Sequence, residues 1–456
     1  MKERWTLAGV FMVMAIFGLA SGGEAVFIDE QETLQFLAKA QTRASIRLND
    51  ASGFTFPETE AGDLVQHRNL LYLEVNHDLK SLMGRLSLLK PLESAGIELK
   101  YRLVGRFMYE GVYDYGPEKF QDVADASPDN FDDFKQEYDL WEAYADITKG
   151  PVYFRIGRQN LSWGETDVFR LLDQINPLDS TFGGVFEDLD DRRIPLWMLR
   201  GSYNLGTFGP VASVTLESFW VPGFWDARVA PMSPRGAPYA PPQAPPSISS
   251  KVKTPGKKLD NSRWGARIMG VIGDNLNLSV GHYKTYPDVP SGRLIVNPAN
   301  PLDFRQEITF EDEQITGAAL NFWETHTETV VRSEVAMFWD EAVFIPQINA
   351  PLIPTGIPGL ELPATGRIPE KNILRYMVGL DKNFWIRPLN KKNVFFFSMQ
   401  YFGQYIMDYD ERIKMAIPIY PDTMDFAGVK ELENQITFLV NSTYLQGNLY
   451  PSFSAA

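Results

Sequence analysis

The sequence predicts an all-β chain: a transmembrane, antiparallel outer-membrane β-barrel of about 16 strands in its complete form, with long extracellular loops and one loop or helix folded inward. Three observations point there. Stretches of about ten residues alternate apolar and polar side chains, the length a tilted strand needs to cross a bilayer. Short and long connections follow one another in strict alternation along the chain. After the first residues, no apolar run approaches the roughly 20 residues of a membrane helix.

The stretch from Ile97 to Glu110 shows the alternation most clearly. Ile97, Leu99, Tyr101, Leu103, Phe107 and Tyr109 share one parity, and Glu98, Lys100, Arg102, Arg106 and Glu110 share the other. Successive side chains of a strand point to opposite faces, so one face is oily and the other charged. The pattern recurs at Leu71–Asp78, Ala212–Glu217, Leu276–Val280, Val331–Trp339 and Phe397–Gln404. In a soluble sandwich the oily face would meet a second sheet; in a barrel it meets lipid while the charges line the lumen.

The connections decide between these. Turn-forming residues cluster at 149–151, 204–209, 273–275, 324–328, 387–392 and 445–448. Between them lie long connections at 112–136, 161–195, 222–262, 286–312, 341–372 and 408–432. Short periplasmic turns and long extracellular loops produce this alternation, and a sandwich has no reason to keep it.

The ends carry further expectations. Residues 1–25 combine Lys2 and Arg4, an apolar run from Leu7 to Ala20 and the small residues of ASGGEA, as in an export signal. Residues 26–40 form a short helix, because Phe27, Leu34, Leu37 and Ala38 fall at helical spacing. The barrel then occupies 41–456, about 15 strand candidates, and lacks its last strand, since bacterial single-chain barrels have even strand numbers. The proline-dense APYAPPQAPPS within 222–262 predicts an extended, mobile loop without regular structure.

The most distinctive segment is 144–206, with GRQNLSWGE at 157–165, INPLD at 175–179 and DLDDRRIPLWML at 188–199. It resembles a large family of Gram-negative outer-membrane proteins carried as a domain of unknown function, number 1302. More distantly it is similar to alginate-export barrels, through EAY at 142–144 and GRQ at 157–159. The resemblance implies a barrel in the outer membrane of a Gram-negative bacterium. It also implies work beside a periplasmic carrier and an inner-membrane exporter of hydrophobic molecules.

Parity places Glu142, Tyr144, Arg155 and Gln159 on the inner face of a hairpin turning at Lys149–Gly150, with Trp141 on the oily side. Arg158 falls on the oily parity. It either swings inward at a bulge on Gly157 or reaches the headgroups. Beyond Trp163, residues 166–175 predict a short helix with Val168, Leu171, Leu172 and Ile175 as an apolar stripe. That stripe needs somewhere to bury itself. Either the segment folds into the lumen, bringing Asp188, Asp190, Asp191, Arg192 and Arg193 to the charged wall and to Arg155 and Glu142, or it lies on the outer rim with its charges solvated. Other wall residues are Glu98, Lys100, Arg102, Arg106, Arg267, Arg332 and Glu334.

The four histidines fall in no catalytic or metal-ligand motif, no phosphate-binding glycine pattern occurs, and the acidic clusters lack calcium-loop spacing, so the chain reads as non-enzymatic and without cofactor. A net charge of −15 argues against nucleic acid as a partner and leaves outer-membrane lipid as the expected surroundings. Two functions fit: a transport barrel for small, hydrophobic or amphipathic molecules, or a structural or adhesive barrel whose long loops bind partners. Parity charges facing inward favour conduction, because a dry, shut lumen would have to pair each of them. Cargo, direction and oligomeric state are not written in the sequence.

Overall fold

The computed structural model describes residues 26–455, apart from 49, 51–58, 88, 124–133, 168, 183–188, 235, 241–248, 298, 344–351, 355–360, 364–367, 412–428 and 446–450. The export-signal expectation at 1–25 therefore lies outside the described residues. The chain divides into two units, one formed by residues 1–49 and 60–149 and the other by 50–59 and 150–456. Both are built from antiparallel meanders of sequential strands.

The first unit runs β1 (Val26–Phe27), β2 (Leu34–Ile46), β3 (Leu64–Asp78), β4 (Glu98–Glu110) and β5 (Gln136–Lys149), each antiparallel to the next. Two short helices, α1 (Lys80–Met83) and α2 (Lys90–Ser94), fill the β3–β4 connection, and α3 (Val112–Tyr115) and α4 (Glu118–Gln121) follow β4. The helix expected over 26–40 is instead β1, a turn over 28–33 and the first part of β2. β2 pairs with β3 from Leu34 opposite His77 to Ile46 opposite Leu64, so its backbone groups are satisfied along a whole neighbouring strand. Asp29 closes the preceding turn by accepting the N–H of Thr33 (2.9 Å) and of Leu34 (2.7 Å).

β4 has the two faces its parity predicts. Val104, Arg106, Met108 and Glu110 are buried, whereas Leu103 is 41% exposed. Charges on the buried parity pair across strands: Lys100 with Asp78 (3.0 Å), Arg102 with Glu74 (3.1 Å) and Glu142 (3.0 Å), and Arg106 with Glu137. Trp141 is a correction, since it is buried and carries the Arg106 guanidinium over its ring at 3.2 Å. A bulge explains it. Val104 faces Glu142 but Gly105 faces Leu140, so the residue between has no partner and parity reverses there, leaving Tyr138 and Leu140 as the exposed pair.

The second unit continues with β6 (Val152–Gln159), α5 (Leu189–Arg192), β7 (Leu196–Phe208), β8 (Val211–Val221), β9 (Ser249–Lys253), β10 (Arg263–Ile272) and β11 (Leu276–Thr285). Then come β12 (Ser291–Asn297), β13 (Asn300–Thr309), β14 (Glu313–Glu324), β15 (Thr329–Ala342), β16 (Leu352–Pro354) and β17 (Glu361–Pro363). β18 (Glu370–Phe384), β19 (Phe395–Ile406), β20 (Leu432–Ser442) and β21 (Ser452–Ala455) complete it. The main sheet order is β6-β7-β8-β10-β11-β14-β15-β18-β19-β20-β21, antiparallel throughout. Gly150 at φ +55 and Gly273 at φ +61 supply left-handed backbone at two of the expected tight turns. The expected connections at 161–195, 222–262, 273–275, 286–312 and 387–392 fall between main-sheet strands, whereas 204–208 of the turn expected at 204–209 belong to β7 and the chain turns at 209–210.

Three of the long connections fold further. β12 and β13 form a hairpin, and β9 adds to β13 in parallel; β16 pairs with β17. The 222–262 connection is thus not an unstructured loop: β9 lies within it, and Ala230, Ala237 and Ala240 are buried, while 241–248 lie outside the described residues. Apolar side chains of the main strands face out, with Leu216, Ile268, Val280, Val335, Val378 and Ile436 each between 43% and 48% exposed. Glu217, Arg332, Glu334, Ser398 and Gln400 on the opposite parity are buried. Among the described residues no helix is long and apolar enough to cross a membrane.

Because burial is inverted in this way, Leu103→Arg should cost roughly 2–4 kcal/mol in bilayers if it lies near the midplane. Lys100→Leu on the other parity removes only a partly exposed ion pair and should cost under about 1 kcal/mol. Denaturant titration of the protein refolded in lipid vesicles separates the two; equal costs would mean the faces are misassigned.

Candidate functional site

The connection from β6 to β7, residues 160–195, lies on the polar face of the second unit's sheet. Its only regular element among the described residues is α5. The helix expected over 166–175 does not form, and Val168 is outside the described residues. The apolar stripe is nonetheless buried: Leu171, Leu172 and Ile175 are 3%, 6% and 0% exposed and share a core with Phe219, Tyr283, Ile315, Phe338 and Phe402 of the strands. An irregular backbone lacks the i to i−4 bonds of a helix, so its N–H and C=O groups need other partners. Strand side chains supply them.

Glu334 on β15 accepts the backbone N–H of Glu165 and that of Leu172 (3.1 Å). On β11, Tyr283 Oη donates to Leu172 O (2.8 Å) and Thr285 Oγ1 to Gln174 O (2.9 Å). Arg332 forks onto Asp167, with one amino group 2.9 Å from Oδ1 and the other 2.6 Å from Oδ2, and also reaches Asp381 (2.7 Å). Gln400 donates to the same Asp167 carboxylate (2.9 Å). Gly317 makes room on β14: a Cβ there would run into Leu172.

The strongest anchor is Glu217 on β8, 1% exposed. Its carboxylate accepts Trp163 Nε1 (2.8 Å) from the loop, Arg200 Nε (2.8 Å) from β7 and Arg267 Nε (2.9 Å) from β10. Arg267 also lies over the Trp163 ring at 5.0 Å, and that ring meets Phe219 and Tyr283 edge-on at 5.3 and 5.5 Å. Three donors, two of them cationic, hold one desolvated anion in place.

Asn176 ties the loop to itself. Its Oδ1 accepts the N–H of Leu161 (2.9 Å), and its Nδ2 donates to Gln159 O (3.2 Å) and Ile194 O (2.8 Å), so one buried amide joins the three distinctive sequence segments. Leu178 and Arg193 form a β-bridge, and Asp179 N–H donates to Arg192 O (2.8 Å).

The sequence-expected residues fall as follows. Trp163, Arg267, Arg332 and Glu334 meet around the loop as described, and Gln159 is fully buried, donating to Met198 O (3.2 Å). Arg158 is 4% exposed and donates to Pro195 O (3.2 Å), which settles it as buried under the chain rather than reaching outward; Gly157 beside it has φ +135. Arg155 is half-buried, 6.0 Å from the Tyr153 ring centre. Glu142, with Arg102 as its partner, and the half-buried Tyr144 belong to the first unit, where Glu98 is exposed. Arg193 pairs within the loop, with Asp173 (2.5 Å) and Asp190 (2.7 Å), a correction to the wall partners expected for it. Burial would lower the Arg193 pKa, and the two carboxylates outweigh that and raise it. Arg192 has its pKa lowered, chiefly by burial, and donates to Asp179 O (2.9 Å) and Ser180 Oγ (2.9 Å). Asp191 is buried, Asp190 stands 92% exposed at its side chain, and Asp188 is outside the described residues.

Sequence reasoning missed Asn176, Asp167, Asp173 and Glu217 as anchors. Parity marked Glu217 as inward, but nothing local names its three donors.

Between this loop and the loop-side ends of β14, β15, β18, β19 and β20 lies a cavity of about 990 Å³. Phe169, Phe338 and Phe402 contribute rings to it, and Glu313, Glu341 and Arg375 contribute charge.

Meandering antiparallel strands, apolar outward and charged inward, with a long loop laid on the charged face, define a protein of the outer-membrane β-barrel class. The chain belongs to the family described as "Protein of unknown function (DUF1302)", matched over residues 6–444. In structure it is similar to the outer-membrane channel DcaP of Acinetobacter baumannii, at 10% identity over 94% of this chain and 92% of that one, with a TM-score of 0.42. It is also similar to OmpT of Vibrio cholerae (8% identity, 95% and 89% covered, TM-score 0.39) and OmpF of Salmonella typhi (9%, 90% and 86%, 0.38). No curated protein matches it in sequence. The alginate-export resemblance is not shown by these comparisons.

Replacing Glu217 by Ala strands Arg200 and Arg267 and removes the Trp163 acceptor. Breaking a buried charge network this way should cost about 3–5 kcal/mol. Denaturation followed by tryptophan emission reads both the loss and the release of Trp163; an unchanged midpoint and spectrum would show that the loop does not depend on Glu217.

Proposed function

We propose that the chain is a channel in the outer membrane of a Gram-negative bacterium, passing small, hydrophobic or amphipathic molecules through a charged lumen narrowed by residues 160–195. The reading is non-enzymatic. It is supported above all by the loop's position, laid across the polar face from β8 to β19 and bonded there through Trp163, Glu165 and Asp167. A loop tied into a polar lumen sets pore size and presents charge at short range. Kinship adds a periplasmic carrier and an inner-membrane exporter as working partners.

The folded loop-side sheet of β9, β12 and β13 favours a second reading, an adhesive or structural barrel that presents this sheet to a partner. Conduction separates the two. Deleting 167–190 should raise single-channel conductance several-fold in planar bilayers, and Asp190→Lys should shift ion preference toward anions. A native protein that never conducts would overturn the channel and leave the adhesive reading. Conductance unaltered by the deletion would retire the loop as the narrowing element.

A further inference from the structure

The 990 Å³ cavity contains a carboxylate without a counterpart. Glu313, the first residue of β14, is 4% exposed and lines the cavity, and among the described residues its side chain makes no hydrogen bond or ion pair. A buried carboxylate left unpaired is costly, and a native fold keeps one where something else satisfies it. The arginines of the lining are already committed. Arg375 donates to Glu341 (2.8 Å) and to Gln404 (2.8 Å), and its guanidinium lies 4.1 Å from the Phe338 ring centre. Arg170, on the loop side, is paired with Asp288. The cavity thus holds one buried carboxyl group that no protein side chain partners among the described residues.

Around that group the lining is aromatic. Phe169 of the loop meets Phe402 of β19 edge-on at 5.2 Å, and Phe338 lies beneath Arg375. Ring faces favour an apolar body and attract a neighbouring cation. A lone carboxylate does not supply the six or more oxygens that a calcium ion takes, so a metal ion is a poor occupant. An anion would meet Glu313 and find Arg170, Arg192 and Arg375 occupied, with Lys430 of the lining exposed just before the start of β20.

We infer that this cavity is a binding site for an organic cation with an apolar or aromatic body, its ammonium group at Glu313 and its body against Phe169 and Phe402. The site rests on its own residues, whether or not the protein conducts. It would give the channel a preferred substrate class, hydrophobic amines.

The test uses the full chain in detergent micelles with monodansylcadaverine, a naphthalene dye carrying a primary ammonium group, followed by fluorescence anisotropy against a protein-free micelle blank. Saturable binding is expected. Glu313→Gln should weaken it about tenfold, the scale of one lost charge-assisted contact. Phe402→Leu should weaken it severalfold, while Asp274→Asn in the distant β10–β11 turn leaves it unchanged. The carboxylate analogue, dansyl-6-aminohexanoic acid, should not bind. Unfolding midpoints of the variants are measured alongside, and Glu313→Asp, which keeps the charge, should retain binding if Glu313→Gln loses it through charge rather than fold. No saturable binding, equal binding by Glu313→Gln, or equal binding of the carboxylate analogue would overturn the site. None of these outcomes depends on ion flow, so they stand apart from the conductance test of the channel.

Discussion

The ordered part of the second unit depends on one desolvated carboxylate. Glu217 is buried where a free anion would be strongly disfavoured, and it is tolerated because Arg200, Arg267 and Trp163 converge on it. The same convergence does three things. It neutralises two arginines that parity forces onto one face of neighbouring strands, it holds the Trp163 indole against Phe219 and Tyr283, and it fixes where the β6–β7 connection enters the polar face. Arg155 and Arg200 stand directly opposite each other on β6 and β7, a repulsive cross-strand pair, and the pull of Glu217 on Arg200 relieves it.

From that entry point the loop is held by a division of labour between charge and backbone. Glu334 takes two backbone N–H groups, of which that of Leu172 would have been satisfied internally in a helix over 166–175, and Arg332 takes the side chain of Asp167. The leucines then fill the space this leaves, with Leu172 seated where Gly317 carries no side chain. Asn176 closes the loop on its own ends. The three segments that mark the family are therefore one interlocked object, and their joint occurrence has a chemical reason: each supplies groups that another needs.

The two faces of the strands follow from solvent. Apolar side chains such as Leu103 and Val280 remain outside, where lipid can receive them, and the charges on the other parity pair across strands. What this chain adds to those faces is a loop bonded across the polar one and a cavity beside it.

The sequence by itself determined the strands, the turns and the faces, because these are local. A period of two, a Gly at a tight turn and a run of loop residues are read from neighbours in the chain, and the Ile97–Glu110 stretch behaves as its alternation requires. Parity also marked Arg267, Arg332 and Glu334 as inward, while it left the loop between the lumen and the outer rim. Where the reading failed, a distant strand decided. Phe27, Leu34, Leu37 and Ala38 fit a helix in isolation, but β3 offers β2 thirteen residues of pairing and makes Leu34, Leu37 and Ala38 part of a strand, with Phe27 across a turn opposite Gln35. Trp141 has the parity of lipid until the bulge opposite Val104 and Gly105 turns it inward. Residues 166–175 carry a helical stripe, yet the Leu172 N–H is bonded to Glu334 of β15 and the Asp167 N–H to Gln400 of β19. Arg193 finds Asp173 twenty positions away, and Glu217 finds donors on a loop and two strands. Hydrogen-bond and ion-pair partners of this kind are set by which strands lie side by side, and spacing along the chain does not encode that.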